Sequence, residues 1–267
     1  MVRLLTIQDM AEIHRLLAIE TGYSLFIANT LFSFGFTEGV SYWGIASDHV
    51  RAILMIVGDT AAIYAEPGWE HEMAQLAEPL NRAHISFVMG PERAMQLLEP
   101  YCHKTISGFE QHHFAELPKH RYRHIPEQTD CAVRRAVLQD AEALARLYHN
   151  TDGYKQNTFM KTTDILSGRI ARMRVYIAED RDGTIVSGAM TSAESPTAAM
   201  IGSVYTLPEA RGRGFAGAVV SALCAELLRA SLRPYLFYLI DNTAAEKVYK
   251  AIGFRDIGRW RVTFFEP

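Results

Sequence analysis

The sequence predicts an α/β (α+β) protein in which two similar units follow each other along the chain. Three observations indicate this. Short apolar runs of strand composition alternate with stretches of helical spacing. A run of strand composition near the C-terminal end leads through a glycine-rich loop into a long apolar helix, over residues 200–230. Two short patterns of the first half recur in the same order in the second half, which is typical of a repeated structural unit.

Composition limits the functional classes. The 267 residues, 49% of them hydrophobic, are enough for one large domain or two modest ones. A net charge of −3 gives no electrostatic reason to expect nucleic acid or an anionic membrane surface as a partner. The three cysteines are few, odd in number and far apart, so neither a disulfide framework nor a thiolate metal site is expected: Cys102, Cys131 and Cys224.

No targeting or membrane segment is expected. The first residues carry charge within their apolar run and are typical of a structured element, not of a signal peptide. The longest apolar run, 215–228, is interrupted by Ser221 and Glu226 and is too short to span a bilayer. These features predict a cytoplasmic protein.

The first half begins with a predicted helix over 3–20, where Ile7, Met10 and Ile13 recur at helical spacing. A phenylalanine-rich segment follows at 25–36. The next predicted elements are strands at 40–46, 51–57 and 61–65, a helix at 70–80, a strand at 85–89 and a helix at 91–98.

A polar, basic segment with two prolines follows Leu117, so we place the domain boundary at 117–130, between domains 1–120 and 130–267. The repeated patterns lie on both sides of it. Ile7-Gln8-Asp9 corresponds to Leu138-Gln139-Asp140, and Thr60-Ala61-Ala62 corresponds to Thr197-Ala198-Ala199.

In the second half, predicted strands at 175–179 and 185–191 flank Asp182-Gly183, a strong hairpin signal. Strands at 200–207 and 234–240 enclose the helix 215–230, which is apolar around most of its circumference and is therefore expected to be buried on several sides. A last helix begins at a capping box, Thr243 with Glu246, and ends at Gly253. Its expected buried stripe is Ala244, Val248 and Ile252.

The loop before helix 215–230 contains Arg211-Gly212-Arg213-Gly214. A strand, a glycine-rich loop and a helix N-terminus together favour phosphate binding, because backbone N–H groups approach the oxygens and the helix dipole attracts negative charge. The two arginines add positive charge. Two interpretations are open. Gly212, Gly214 and Gly217 match the dinucleotide fingerprint G-x-G-x-x-G, with Asp241 at the expected acidic position, although that fingerprint belongs to the first βα turn of its fold.

The second interpretation is a resemblance. Arg211-x-x-Gly214-x-Ala216 resembles the R/Q-x-x-G-x-G/A pyrophosphate loop of the GCN5-related N-acetyltransferase (GNAT) family, which holds acetyl-CoA. The preceding 204–209 is similar to the V-Y-T-x-P-E run that introduces this loop in many members. Asn242, Tyr249 and Gly253-Phe254 resemble the family motif N-x-x-x-x-x-x-Y-x-x-x-G-F. The resemblance covers roughly residues 132–265, and the N-terminal half resembles only the overall plan.

The resemblance implies two GNAT-like domains in tandem, each a mixed, mostly antiparallel central sheet flanked by helices. The first copy continues after its strand as Ala65-Glu66-Pro67-Gly68-Trp69, without arginines or paired glycines, and is expected to be degenerate. In the second copy the resemblance implies a β-bulged strand for the pantetheine arm and a pyrophosphate loop. The implied acetyl-CoA-binding residues are Val204, Tyr205, Thr206, Arg211, Gly212, Arg213, Gly214, Phe215, Ala216 and Asn242.

The resemblance also implies a chemistry. Tyr249 matches the family's general acid, which gives a proton to the departing thiolate. On the residues alone, Asn242 could be a turn residue and Tyr249 half-buried packing. No motif fixes the base that deprotonates the amine, and the candidates are Glu194, Glu179 and Ser203.

The predicted function is an acetyl-CoA-dependent N-acetyltransferase that acts on the amine of a small molecule, as a monomer or homodimer, with no nucleic acid and no membrane partner. Two alternatives stay open: a non-catalytic acyl-CoA-binding sensor or interaction module, and a nicotinamide-dependent oxidoreductase.

A histidine-rich segment lies at residues 102–124. It contains Cys102, His103, His112, His113, His120 and His124. No metal site is expected, because the segment has no C-x-x-C spacing and no H-x-x-x-H pair expected on one helix or strand. The segment is predicted to be a solvated hairpin and linker that could contribute a histidine to the acceptor pocket.

Overall fold

The computed structural model describes residues 1–46, 48–127 and 131–266, and in these ranges it contains one twelve-stranded sheet and eight α-helices. The strands are β1 (Val2–Leu4), β2 (Val40–Ala46), β3 (Val50–Val57), β4 (Thr60–Ala65), β5 (Phe87–Pro91), β6 (Ile106–Glu116), β7 (Ala132–Arg135), β8 (Val175–Glu179), β9 (Ile185–Glu194), β10 (Ala198–Thr206), β11 (Arg233–Leu239) and β12 (Arg255–Phe265). The helices are α1 (Met10–Ile19), α2 (Leu25–Phe34), α3 (Ala77–Arg82), α4 (Glu92–Leu98), α5 (Ala141–Tyr148), α6 (Phe159–Arg172), α7 (Phe215–Arg229) and α8 (Thr243–Ile252).

The sheet is mixed and mostly antiparallel, which confirms the predicted fold class. Its strand order is β1-β2-β3-β4-β5-β12-β6-β11-β10-β9-β8-β7. The parallel pairs are β4 with β5 and β10 with β11, the corresponding pair in each half, and the remaining pairs among the described residues are antiparallel.

The two halves exchange their last strands. Strand β6 of the N-terminal half lies between β12 and β11, and β12 of the C-terminal half lies between β5 and β6. The side chains on one face of this seam form a core with α1 and α2, in which Trp260 and Phe114 are fully buried with ring centroids 5.5 Å apart. Each half therefore depends on the other to complete its sheet.

The predicted repeat is confirmed in detail. Ile7–Asp9 and Leu138–Asp140 are both single 3₁₀ turns. In each turn the aspartate accepts a hydrogen bond from a backbone N–H three residues earlier, at 2.9 Å in the first copy and 2.7 Å in the second. Each aspartate also forms an ion pair with an arginine of the preceding strand, Arg3 in the first copy and Arg134 in the second.

Several predicted boundaries were wrong. Residues 3–20 are not one helix, because β1 and a 3₁₀ turn precede α1, and Ile7 is 71% exposed. The stretch 70–80 begins as a 3₁₀ segment, Glu70–Leu76, before α3. Ala244 of the expected buried stripe is exposed, and the neighbouring Tyr249 is buried in its place. By contrast, β2 and β8 have the predicted bounds.

The histidine-rich segment is not a solvated hairpin. Its middle part, which contains His112 and His113, is the single strand β6 inside the sheet, and His112 is 5% exposed. A strand buried between two others needs its register set by distant partners, which no local pattern in this segment reveals.

The segment between the halves packs on the C-terminal half. Tyr122 contacts Ser221 of α7 through its hydroxyl at 3.1 Å, and the backbone N–H of Ile125 donates to the same serine at 2.9 Å. Helix α7 is thus covered by the sheet, by α8 and by this segment, in keeping with its predicted burial on several sides. The boundary at 117–130 stays a prediction, and residues 128–130 and 267 lie outside the described residues.

Among the described residues, no helix is both long and apolar enough to cross a bilayer.

Candidate active site

An opening forms where β10 and β11 separate. The two strands pair in parallel from Ala198 with Arg233 to Ile201 with Leu236. Both continue beyond this point, β10 to Thr206 and β11 to Leu239, outside the paired register. Along this opening, backbone N–H and C=O groups of β10 do not pair with β11. They can bond another partner.

One edge of the opening carries a β-bulge. Between Gly202 and Tyr205 strand β10 has one more residue than its partner β9, and the paired register resumes at Tyr205 with Gly188. Ser203 in the bulge has φ +49°, a conformation that costs a non-glycine residue of the order of 1 kcal/mol. Tyr148 stabilises the bulge, since its hydroxyl donates a 2.6 Å hydrogen bond to the carbonyl oxygen of Ser203. The predicted position of the bulged strand is Val204–Thr206. The extra residue lies between Gly202 and Tyr205, at the start of that range.

The glycine-rich loop lies at the end of β10. After a 3₁₀ turn at Pro208–Ala210, residues 211–214 are exposed. Gly212 and Gly214 have φ +78° and +84°, which only glycine adopts easily. Gly214 is the N-cap of α7, and the first helical bond runs from Ala218 N to Gly214 O at 3.1 Å. The N–H groups of the first helical turn therefore have no helical acceptor.

Both loop arginines are exposed and available to an anion. The Arg211 guanidinium lies 5.7 Å from the centre of the Tyr205 ring and donates to the Thr206 carbonyl at 3.2 Å. The Arg213 guanidinium lies 4.9 Å from the Phe215 ring. The structure thus brings the predicted phosphate-binding residues together at one end of the opening.

The second motif lies on α8. The expected capping box was wrong: Asn242, not Thr243, is the N-cap, and its side-chain oxygen accepts a 3.0 Å hydrogen bond from Ala245 N. Glu246 pairs with Lys250 instead. Gly253 has φ +111° and ends the helix as predicted. The role of Asn242 in binding the CoA arm stays a prediction, since its side chain already has a structural partner.

Tyr249 lies between α7 and the sheet. It is 7% exposed, and its ring centroid is 5.3 Å from that of Tyr238 on β11 and 5.9 Å from that of Phe254. Burial raises the pKa of the Tyr249 hydroxyl, and the nearby Cys224 thiol adds to this. The phenol is therefore protonated throughout the physiological pH range, as a proton donor must be.

Two of the three candidate bases, Glu194 and Glu179, already form ion pairs with arginines. Glu194 accepts hydrogen bonds from Arg174 and from the Thr191 hydroxyl, and Glu179 binds Arg134. The structure places Ser203 in the bulge at the opening. Sequence reasoning did not find Tyr148, because the hydrogen bond that gives it a role joins residues far apart in the chain.

In the first half, the strand and loop that correspond to β10 and the glycine-rich loop differ in two respects. Strand β4 pairs with β3 without a bulge. In the loop that follows, the N–H of Gly68 donates to the Glu70 carboxylate at 2.8 Å, and Glu70 pairs with Arg93 at 2.6 Å. The Glu70 carboxylate thus already accepts a hydrogen bond from the loop N–H group that would otherwise bind a phosphate.

Comparison with known proteins agrees with this architecture. The family model described as FR47-like protein matches residues 183–263. A solved structure of a Drosophila protein superimposes with a TM-score of 0.73 at 14% identity, covering 100% of this chain and 98% of that one. A GCN5-related N-acetyltransferase from Sphaerobacter thermophilus gives 0.69 at 17% identity, covering 98% and 94%. A tandem GNAT protein from the clavulanic acid biosynthesis pathway gives 0.60 at 14% identity, covering 98% and 97%. No curated protein matches the chain in sequence.

The chain has a tandem GNAT fold. The two copies seen in the sequence are the two halves of this fold, joined by the exchanged strands. The dinucleotide interpretation does not fit this fold, because the sheet is mostly antiparallel whereas dinucleotide-binding folds have a mostly parallel sheet.

The opening of this GNAT fold suits acetyl-CoA. The first turn of α7 offers backbone donors and the positive end of a helix dipole for a pyrophosphate, and Arg211 and Arg213 add two positive charges. The unpaired edge of β10 can bond the amides of a pantetheine arm as a neighbouring strand would.

Proposed function

We propose that the protein is an acetyl-CoA-dependent N-acetyltransferase that acts on the amine of a small molecule. The observation that carries this is the opening between β10 and β11, with a bulge on one edge and the free N–H groups of α7 at one end. It combines a phosphate site with a strand edge that can bind an extended amide chain.

Each part of the opening has its own role in this reaction. The loop 211–214 and the first turn of α7 bind the pyrophosphate. The backbone of 204–206 binds the pantetheine arm, and an N–H group of the bulge polarises the thioester carbonyl as an oxyanion donor. Tyr249 gives its proton to the thiolate as the carbon–sulfur bond breaks.

Two measurements test the proposal. Isothermal titration calorimetry with acetyl-CoA and with NAD separates an acyltransferase from an oxidoreductase. A thiol-release assay with acetyl-CoA and a panel of amines then separates an enzyme from a non-catalytic acyl-CoA sensor. Binding of acetyl-CoA without thiol release for any amine would favour the sensor, and NAD binding without acetyl-CoA binding would refute the proposal.

The proposal includes a reducing, cytoplasmic location and a monomer or homodimer. The support for the first is that Cys102 and Cys224 are free thiols. Cell fractionation and light scattering would test these two points.

A further inference from the structure

A cleft lies between the two halves of the chain, at the end of the sheet away from the phosphate loop. Its walls come from α1 and α2 of the N-terminal half, and from the β9–β10 turn and the start of β11 of the C-terminal half. Its volume is about 990 Å³, and its lining is mostly apolar. Volume, lining and position between two units are those of a site for a small organic molecule.

The cleft is separate from the acetyl-CoA opening. Tyr235, the last residue of β11 that lines it, pairs with Met200, and the two strands stay paired for one more residue before they separate. Thr197 in the turn of the cleft lies six residues before Ser203 of the bulge, about 20 Å at about 3.3 Å per residue. The two places therefore have room for two ligands at once.

Apolar side chains from both halves face each other across the cleft. Leu17 of α1 and Leu31 of α2 line one side, and Pro196 and Tyr235 line the other. Phe32 also lines the cleft although it is 74% exposed, so it lies at the mouth. An aromatic ring in this position adds little to the core, and it can pack on a ligand.

The charged side chain that lines the cleft is Arg233, and the described lining residues include no aspartate or glutamate. The Arg233 side chain is 61% exposed. It is two residues from Tyr235 on β11, so both side chains lie on the same face of the sheet. Burial raises the pKa of the Tyr235 hydroxyl, and the neighbouring Arg233 opposes this. His14 of α1 adds ring nitrogens for hydrogen bonding.

The positive charge of Arg233 is not cancelled by the carboxylate beside it. Arg233 lies 3.7 Å from one oxygen of Glu116, and Arg255 donates to the other oxygen at 2.9 Å. One carboxylate thus faces two guanidinium groups, which leaves one net positive charge. A smaller pocket of about 510 Å³ shares Ser231 and Arg233 with the cleft and is lined by Lys119 as well, so the positive region continues there.

We infer that this cleft is a second ligand site, and that its ligand is a small amphipathic carboxylate with an extended apolar body. The apolar body lies between Leu17, Leu31 and Pro196, and the carboxylate pairs with Arg233 at one end. A neutral or cationic molecule with the same body would match the walls but not the arginine. The inference does not rest on the proposed acetyl transfer.

A ligand in the cleft contacts both halves and therefore stabilises their junction. The halves already meet beside the cleft, where the Asn29 side-chain oxygen accepts a 2.9 Å hydrogen bond from the backbone N–H of Glu194. These two residues are the sequence neighbours of Ala28 and Ser195, which line the cleft. Because the unfolded chain has no such cleft, the ligand raises Tm as its concentration increases.

The first test is isothermal titration calorimetry of the full-length protein with decanoate, decanol, decyltrimethylammonium and butyrate. We expect decanoate to bind at one site per chain and to raise Tm. Decanol and decyltrimethylammonium should bind at least about tenfold more weakly, because they offer Arg233 no anion. Butyrate should bind at least about a hundredfold more weakly, because it lacks six methylene groups of the apolar body.

Variants of Arg233 test the charge. Arg233→Gln should weaken decanoate binding at least about tenfold, whereas Arg233→Lys keeps the charge and should stay within about threefold of wild type. Arg82→Gln is the matched control, because it removes an exposed arginine of α3 that pairs with Glu78.

A variant of α1 tests the position. Ala18 lines the cleft and is exposed, so the ring of Ala18→Trp enters the cleft and not the core. We expect it to weaken decanoate binding at least about tenfold with Tm near wild type. Ala11→Trp places the same ring at another exposed position of α1, outside the cleft, and should bind decanoate as the wild type does.

The remaining outcomes would overturn the inference. Equal affinity for decanoate and decanol, or wild-type affinity in Arg233→Gln, would exclude a carboxylate site at this arginine. Wild-type affinity in Ala18→Trp, or no binding of decanoate, would exclude the cleft. Saturating acetyl-CoA should change the Kd for decanoate less than about twofold, and competition would place decanoate in the acetyl-CoA opening instead. If the protein does not bind acetyl-CoA, the proposed function falls while decanoate binding still decides this inference.

Discussion

Gly214 allows the sharpest test of the phosphate loop. Its φ of +84° lies in the left-handed region, where a β-branched residue is a steric outlier, and its N–H group lies at the start of α7. In Gly214→Val the strain costs of the order of 1–2 kcal/mol. The valine side chain also holds a phosphate away from the loop N–H groups. We expect CoA affinity to fall at least tenfold, about 1.4 kcal/mol.

Gly183 provides a matched control. It has φ +75° in the exposed hairpin turn between β8 and β9, and no atom lies within 4 Å of a Cβ placed there. Gly183→Val therefore carries a similar backbone strain away from the loop. Both variants should lose a few degrees of Tm in a thermal unfolding scan. Calorimetry with acetyl-CoA should show weaker binding for Gly214→Val alone. Equal affinities for the two variants would show that this loop does not hold the phosphates.

The remaining predictions concern catalysis, stoichiometry and stability. Tyr249→Phe keeps the ring and loses the acid, so kcat should fall about 10²-fold while acetyl-CoA affinity and Tm stay near wild type; full activity would leave the phenol without a catalytic role. Calorimetry should give one CoA per chain, because Glu70 occupies the loop of the first half; two sites of similar affinity would contradict this. Trp260→Ala should destabilise the protein by about 3–5 kcal/mol in urea titration, since the ring is fully buried at the exchanged strands; a loss below about 1 kcal/mol would mean that the seam contributes little. Burial lowers the pKa of His112 to about 4 from 6.5, so its contribution to stability is complete above about pH 6.5 and is lost as the pH falls toward 4. His112→Asn should flatten that part of the stability profile, and an unchanged slope would refute the assignment.

The sequence by itself determined the parts of the protein whose signals are local. Strand β8 ends where its apolar run ends, the turn at Gly183 follows from Asp182-Gly183, and the phosphate loop is a contiguous run that begins at Arg211. The repeat was also visible, because each copy keeps the aspartate that caps its own turn. These features depend on backbone preferences and hydrogen bonds within a few residues.

Only the tertiary structure decided how the two halves combine. No local pattern indicated that β6 and β12 change places, because strand pairing is set by the shape and burial of distant neighbours and not by the strand's own residues. The same pairing places β6 between β12 and β11, where His112 and Trp260 are buried among residues from both halves. The phosphate end of the site is thus local in the sequence, whereas the bulge on β10 is held by Tyr148, which is 55 residues away in the chain.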